Sequence, residues 1–398
     1  MVQAAQVASD PASGLRESVG ALEASKIREV ANLGIGRKDI IPLWFGEPDV
    51  PTPGFICEAA ARALREGDTF YQPNRGIMAL REALARYMNR LYGTALGAAH
   101  VTVSASGMNA LMLVMQGLVD RGDVVVTTTP AWPNLPAVPQ ILGGKIRAVP
   151  LAPANDGWRL DLDRLLGACD ARTRVIFLNS PNNPTGWTMS GLEQAEVLRF
   201  ARARGIWVVG DEVYARIVYD REVAPSLLEV AEPDDRVIVV NSFSKSWAMT
   251  GWRLGWITAP PEVGPVLEKL TEFNIAGPAG FIQRAGLVAV EEGEPFVREI
   301  VTRYGRARDL TVERLSAMAR VRLPRPEAAF YAFFTVEGVN DTVAFAKDLL
   351  RTTGVGLAPG EAFGPGGEGC MRLCFAASLP ALSTAFDRLE AYLAAPPP

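Results

Sequence analysis

Between about residues 55 and 290, short β-branched runs alternate with helical patterns, and nearly every run ends in a cluster of polar residues. The runs are VTVSA (101–105), VVVTTTP (124–130), RVIFLNSP (174–181), IWVVGDE (206–212), VIVVNSF (237–243) and LGWITA (254–259). Most are continuously apolar, the pattern of strands covered on both faces. Helical patterns, for example 108–120 and 190–204, lie between them. Strand–helix–strand repetition predicts an α/β fold, with a mainly parallel central sheet and helices on both faces. In open sheets of this kind the ligand crevice lies outside the carboxyl ends of the strands. The clusters SASGMN, TTTPAW, NSPNNPTG, GDEVY and NSFSKS therefore predict one elaborate site along one sheet edge.

Beyond residue 290 a long helical stretch leads into LPRPEAAFYAFF and VGLAPGEAFGPGGEGCMRLCFAAS, which reads as a smaller α+β domain. The division expected is 1–47 as an N-terminal arm and part of the small domain, 48–290 as the large ligand-binding domain, and 291–398 as the small C-terminal domain. Low complexity is confined to the Ala/Pro tail and the Gly-rich loop at 364–369, and no internal repeat is present.

Composition removes several function classes. Forty basic and 44 acidic side chains give a formal charge of −4, with no basic run of the kind that tracks a phosphate backbone, so no nucleic-acid partner is expected. The longest apolar stretches, such as 110–115, are too short to span a bilayer, and the N-terminus lacks a charged region followed by an apolar core. Cys57, Cys169, Cys370 and Cys374 lack the second pair or nearby His that a zinc set needs, so reduced thiols, no metal and a cytoplasmic protein are expected. His100 is the single histidine and reads as a strand-edge residue. Catalysis through a Ser–His–Asp or Cys–His pair then has one weak candidate, and proton transfer calls for another base.

Three charged residues and one Ser-Gly turn stand out from the apolar pattern. Lys245, in SFSKSW, follows a strand; taken alone it reads as a solvated loop lysine. Asp211 ends the run 206–210, where burial is costly unless a cation pairs with it, although a helix cap is an equal reading. Ser106-Gly107-Met108 opens an apolar helix pattern, so it is either a simple cap or a phosphate site at a helix N-terminus. Arg253 lies between Trp252 and Leu254, an apolar setting that asks for an anionic partner such as phosphate. A lysine for covalent attachment, a carboxylate for a ring nitrogen and a phosphate cradle are the parts that pyridoxal 5′-phosphate (PLP) requires.

Six motifs then fall in order: GEPDVPTP (46–53), YQPNRGIMALREAL, NSPNNPTG, GDEVY, SFSKSWAMTGWRLGW and MRL. On these the chain resembles the fold-type I PLP enzymes, specifically the class I/II aminotransferases of the aspartate aminotransferase superfamily, from residue 46 through MRLCFAAS (371–378). The resemblance implies that Lys245 binds the cofactor covalently and later moves the substrate's proton, while Asp211 keeps the ring nitrogen protonated. Tyr214 and Asn183 match the pair that hydrogen-bonds the phenolic O3′. Ser106, Gly107, Met108 (through its N–H), Ser242, Ser244 and Arg253 match the phosphate cradle, Trp132 the stacked aromatic, and Tyr71 a tyrosine reaching the phosphate from a second subunit. Arg372 and the backbone of Gly46 match the anchor of the substrate α-carboxylate; alternation in CMRLCF puts Cys370 and Cys374 on the face of Arg372.

The activity implied is transfer of an amino group from an amino acid to a 2-oxo acid by a ping-pong cycle in a homodimer with shared sites. A PLP-dependent lyase or synthase on the same scaffold is the alternative. A PLP-sensing regulator is a further one, but the arm before Gly46 is short and not basic enough for DNA. Met108 and Ala328 depart from commoner choices, and Ala328 replaces a frequent glycine, which leaves the substrate open. Trp44, Phe45 and Trp132 suggest a neutral or aromatic donor.

Overall fold

The computed structural model describes residues 15–154 and 156–394. After a short helix α1 (Lys26–Ala31) the chain builds a seven-stranded sheet from β1 (Val101–Ser104), β2 (Val124–Thr129), β3 (Lys145–Pro150), β4 (Thr173–Asn179), β5 (Trp207–Asp211), β6 (Val237–Ser242) and β7 (Gly255–Thr258). Their spatial order is β1-β7-β6-β5-β4-β2-β3. Pairings β6-β5, β5-β4, β4-β2 and β2-β3 are parallel.

Helices cover both faces because the inward residues alternate. Val125, Phe177, Val209 and Val240 pack with Ala110, Leu113 and Val114 of α2 (Gly107–Leu118). Their neighbours Val126, Ile176, Val208 and Val239 pack on the other side with Val197, Leu198 and Ala201 of α3 (Gly191–Arg204). Helix α3 starts in a capping box, Ser190 Oγ accepting from the Glu193 N–H at 3.3 Å and Glu193 accepting from the Ser190 N–H at 2.8 Å, and stops at Gly205 with φ 65°.

Two features depart from the sequence reading. Strand β7 runs antiparallel to both β1 and β6. The stretch from 243 to 254 forms only a helical turn and a 3-10 turn, too little to carry the chain back across the sheet for a parallel return. Strand β3 was not foreseen: as an edge strand it carries Lys145 and Arg147, which break the apolar run. His100 sits in a 3-10 turn at the surface, its Nδ1 accepting from the Gly97 N–H at 3.1 Å.

The remainder is a smaller unit with an antiparallel sheet. Helix α4 (Glu294–Ala317) leads to β8 (Val321–Arg322), β9 (Tyr331–Val336), β10 (Ala358–Pro359) and β11 (Cys370–Cys374), in the order β8-β9-β11-β10, closed by α5 (Leu379–Ala394). Ile41–Pro42 pairs in parallel with Val355–Gly356. Among the described residues no helix is long and apolar enough to cross a membrane.

An ion pair between a buried arginine and a half-buried glutamate ties the loop after β5 to the start of α4. Arg216, 5% exposed, donates through both terminal nitrogens to Glu294 at 2.7 and 2.8 Å and through Nη1 to the Tyr87 hydroxyl at 2.8 Å. Removing one partner of such a pair strands the other, at a cost of roughly 3–5 kcal/mol when burial is complete. Arg216→Ala should therefore lower stability by about 3 kcal/mol, read as a shift of the urea midpoint. An unchanged midpoint would show that the pair contributes nothing net.

Candidate active site

Gly107 after β1, Trp132 after β2, Asn179 and Asp211 at the ends of β4 and β5, Ser242 at the end of β6 and Arg253 before β7 all border one cavity of about 390 Å³. Parallel strands put their carboxyl ends on the same edge, and the antiparallel β7 brings its beginning there instead. The polar clusters of the sequence thus converge.

Asp211 is 2% exposed. Its carboxylate accepts from the Val213 N–H at 3.3 Å, and no ion pair reaches it among the described residues. Burial pushes its carboxyl up to about 7, against the Val213 bond and the neighbouring Lys245 charge. A carboxylate held this way is complementary to a buried cation. The helix-cap reading does not apply, since Asp211 closes a strand.

Lys245 follows β6 on the single helical turn Phe243–Ser246. Its Nζ donates to the Gly46 carbonyl at 2.5 Å and lies 5.6 Å from the centre of the Tyr214 ring. Burial lowers its ammonium to about 8; Cys374 opposes that shift and Arg372 adds to it. This is an inward-facing amine with an accessible neutral form, in place of a solvated loop lysine.

Beside it lies a set of anion donors. Helix α2 presents its first N–H groups at Gly107 and Met108, capped by Ser106, whose Oγ accepts from the Asn109 N–H at 2.9 Å. Ser106 is buried behind the cavity wall and adopts φ 149°, a conformation normally left to glycine, which stores strain in the turn that aims the helix. A Cβ on Gly255 would fall 2.7 Å from the Gly107 nitrogen, so β7 backs this turn directly. Ser242 Oγ donates to Ser244 Oγ at 2.9 Å, and both residues line the cavity. Arg253 differs from its apolar expectation. A φ of 57° turns it out of the line of its neighbours, and it is exposed at the cavity edge with Nη1 donating to the Thr250 carbonyl at 2.6 Å.

An unpaired carboxylate, a lysine of lowered basicity and a donor cradle are respectively complementary to a protonated ring nitrogen, a reactive carbonyl and a phosphate. The residues present fit pyridoxal phosphate on all three counts.

Arg372 stands at the opposite wall, 2% exposed in β11. Its Nη1 donates to Asn183 Oδ1 at 2.9 Å and its Nη2 to the Trp44 carbonyl, while Nε is buried and has no partner among the described residues. The Tyr331 and Phe363 rings lie 4.6 and 4.8 Å from its guanidinium carbon. A buried donor left unmade costs about 1–3 kcal/mol, so an incoming carboxylate meets a favourable partner. Asn183 is oriented in turn by Asn179, whose Oδ1 accepts its N–H at 2.9 Å and whose Nδ2 donates to the Asp211 carbonyl at 3.1 Å.

Gly46, Met108 and Trp132 line the same cavity, as do Phe45 and Arg28, whose guanidinium carbon lies 5.5 Å from the Phe45 ring centre. Trp44 does not line it; its ring packs on Gly34 and Gly356, and only its carbonyl reaches the site. Tyr71 is 90% exposed and lies outside this cavity. Sequence reasoning passed over Asn179 and Tyr331, although both sit in quoted segments, NSPNNPTG and PEAAFY. The Tyr331 hydroxyl lies 2.6 Å from that of Tyr214.

A family profile described as aminotransferase class I and II matches residues 38–388. An aspartate aminotransferase of Pyrococcus horikoshii is 35% identical over 379 residues, 94% of this chain and 96% of that one. An aromatic-amino-acid aminotransferase of Thermococcus litoralis is 34% identical over 93% of this chain and 95% of its own length. The solved structure of an aspartate aminotransferase from Thermus thermophilus with maleate superposes with a TM-score of 0.89 at 34% identity, covering 95% of this chain and 99% of that one. By its motifs, its sheet and these similarities, the chain belongs to the class I and II aminotransferases.

Proposed function

We propose that this aminotransferase carries pyridoxal 5′-phosphate on Lys245 and moves the α-amino group of an amino acid to a 2-oxo acid, each acid using the same site in turn. The observation that carries the reading is that Lys245 and Asp211 line one cavity, each buried and neither ion-paired among the described residues: an amine lowered to about 8 and a carboxyl raised to about 7. When bound, the cofactor supplies an electrophilic carbon for the amino group and an electron sink for the bond broken at the substrate's Cα.

The chain's own residues do the rest. Asp211 stays ionised beside a ring nitrogen that keeps its proton, which removes the cost of burying its charge. Lys245 is neutral in an appreciable fraction near pH 8, so its Nζ can attach the cofactor and, once released, take the Cα proton and return it. Arg372 receives the α-carboxylate, with its unpartnered Nε as the donor in hand. Tyr214 and Asn183 would hydrogen-bond the phenolic oxygen, and the N–H groups of Gly107 and Met108, with Ser242, Ser244 and Arg253, would hold the phosphate; all of them line the cavity. Phe45, Met108 and Trp132 add apolar surface to the remaining wall, which also holds Arg28, and this aromatic surface favours a neutral or aromatic donor.

Two subunits complete each site in this reading. Adjacent Phe70 and Tyr71 are both strongly exposed, which leaves two aromatic side chains for a second subunit to cover. Tyr71 would reach the phosphate of a second copy.

Purified protein should be yellow, and borohydride should fix the cofactor to the peptide containing Lys245. Mixing it with single amino acids should bleach the absorbance, and a 2-oxo acid should restore it; release of product without any need for an oxo acid would instead identify a lyase. Lys245→Ala should lose at least about 10²–10⁴ in turnover.

Removing the cofactor exposes the cost of Asp211. Its carboxyl keeps the proton to about pH 7 in the folded state and loses it near the ordinary 3.8 when unfolded. Apo-protein stability therefore falls as pH rises through that window. Apo Asp211→Asn should melt higher than the apo wild type at pH 8 and no higher at pH 4. Equal melting at both values would place the charge in solvent.

Shared sites predict complementation between subunits. Tyr71→Ala should mainly loosen the cofactor, because a hydrogen bond to a charged group contributes roughly 1.5–3 kcal/mol. In a mixed dimer with Lys245→Ala one site carries both defects and the other neither. Activity at limiting cofactor should then exceed that of either variant alone. No recovery after verified subunit exchange rules out action of Tyr71 across the interface.

A further inference from the structure

Tyr331 begins β9 and is fully buried, yet its hydroxyl does not rest among apolar groups. It lies 2.6 Å from the hydroxyl of Tyr214, with the two rings edge to face at 5.7 Å. It also occupies the space that a side chain at position 46 would need, since a Cβ on Gly46 would fall 1.8 Å from it. Gly46 is the residue whose carbonyl accepts from Lys245. On its other side the Tyr331 ring supports the Arg372 guanidinium at 4.6 Å. One side chain thus touches the groups assigned to the cofactor's phenolic oxygen, to the lysine and to the substrate carboxylate.

Two hydroxyls in contact share one proton between them and leave one free. If Tyr331 donates to Tyr214, the Tyr214 proton is free to point into the cavity, and accepting a bond makes Tyr214 a stronger donor there. If Tyr214 donates to Tyr331, its proton is consumed and the cavity receives none from it. The Arg372 cation acts on both phenols but ranks higher among the influences on Tyr331, whose ring it lies against, and so favours the first arrangement by helping Tyr331 give its proton. Burial drives both phenols to higher pKa, so neither ionises in the working range.

We infer that Tyr331 is a positioning residue: its hydroxyl donates to Tyr214 and thereby directs the Tyr214 proton onto the phenolic oxygen of the cofactor. The inference rests on the cofactor reading above. A donor on that oxygen stabilises its anion and weakens its hold on the proton shared with the lysine nitrogen. The lysine-bound chromophore should therefore titrate at lower pH with Tyr331 present than without it. The charged and titratable groups facing this pair are Arg372 and Cys374 from β11, Glu47 after Gly46, Asp211 from β5, Tyr304 from α4 and Lys245, and all remain in the variants below.

The test is a pH titration of the visible absorbance of holoenzyme, comparing wild type with Tyr331→Phe, Tyr214→Phe and the double variant. Tyr331→Phe keeps the ring that supports Arg372 and loses one oxygen. Its chromophore pKa should rise by about 0.4–1 unit, the size of one ordinary hydrogen bond, while the Kd of a 2-oxo acid changes by no more than about twofold, since the Arg372 contact is untouched. Tyr214→Phe should raise the pKa in the same direction, and adding Tyr331→Phe to it should have no further effect, because the second residue acts through the first. An unshifted pKa in Tyr331→Phe, or a shift that adds in full to that of Tyr214→Phe, overturns the inference. A wild-type protein that takes up PLP without forming a titrating chromophore overturns the cofactor reading instead.

Discussion

The carboxyl ends of β2, β4, β5 and β6 point one way because their mutual pairings are parallel, and everything that carries chemistry hangs from that shared edge. Each strand is buried on both faces by helices, so its backbone is held rigidly, and the residue where it ends is placed with little freedom. Asp211 shows what that rigidity is used for. A flexible loop would let its carboxylate reach water; the end of β5 does not, and burial drives the carboxyl up to about 7. A stable core thus holds an unbalanced charge in position for a partner that supplies the opposite one.

The opposing wall works by the same rule with different parts. Strand β11 is buried and fixes Arg372 between two aromatic rings, with two nitrogens satisfied and one not. Asn183 is a joint between the walls: its Oδ1 accepts from Arg372, and its N–H donates to Asn179, which in turn donates to the Asp211 carbonyl. Tyr331 is a second joint, through Tyr214. The carboxylate anchor and the ring-facing residues are therefore not independent fixtures. Hydrogen bonds connect the two walls without a break.

Much of this was legible in the chain itself. Strands β1, β2, β4, β5, β6 and β7 announce themselves as β-branched apolar runs, and α3 by the helical pattern over 190–204. Edge strand β3 escaped because an edge tolerates Lys145 and Arg147, which erase the apolar signature. Trp44 and Phe45 read alike as neighbouring aromatics, yet the bend at 44–46 sends their rings different ways, so one packs in the core and the other lines the cavity.

By itself the sequence determined the alternation of strand and helix, the polar cluster after each strand, and which residue types stand ready at the site. These are local properties, written in periodicity and in short motifs. Tertiary structure alone decided the direction of β7, the outward turn of Arg253, and the meetings of Lys245 with Gly46 across 199 residues, Arg372 with Asn183 across 189, and Tyr214 with Tyr331 across 117. No local propensity encodes such a meeting. It exists only once the sheets are packed, because a hydrogen bond between distant side chains depends on the relative position of two backbones that the packing of both cores fixes together.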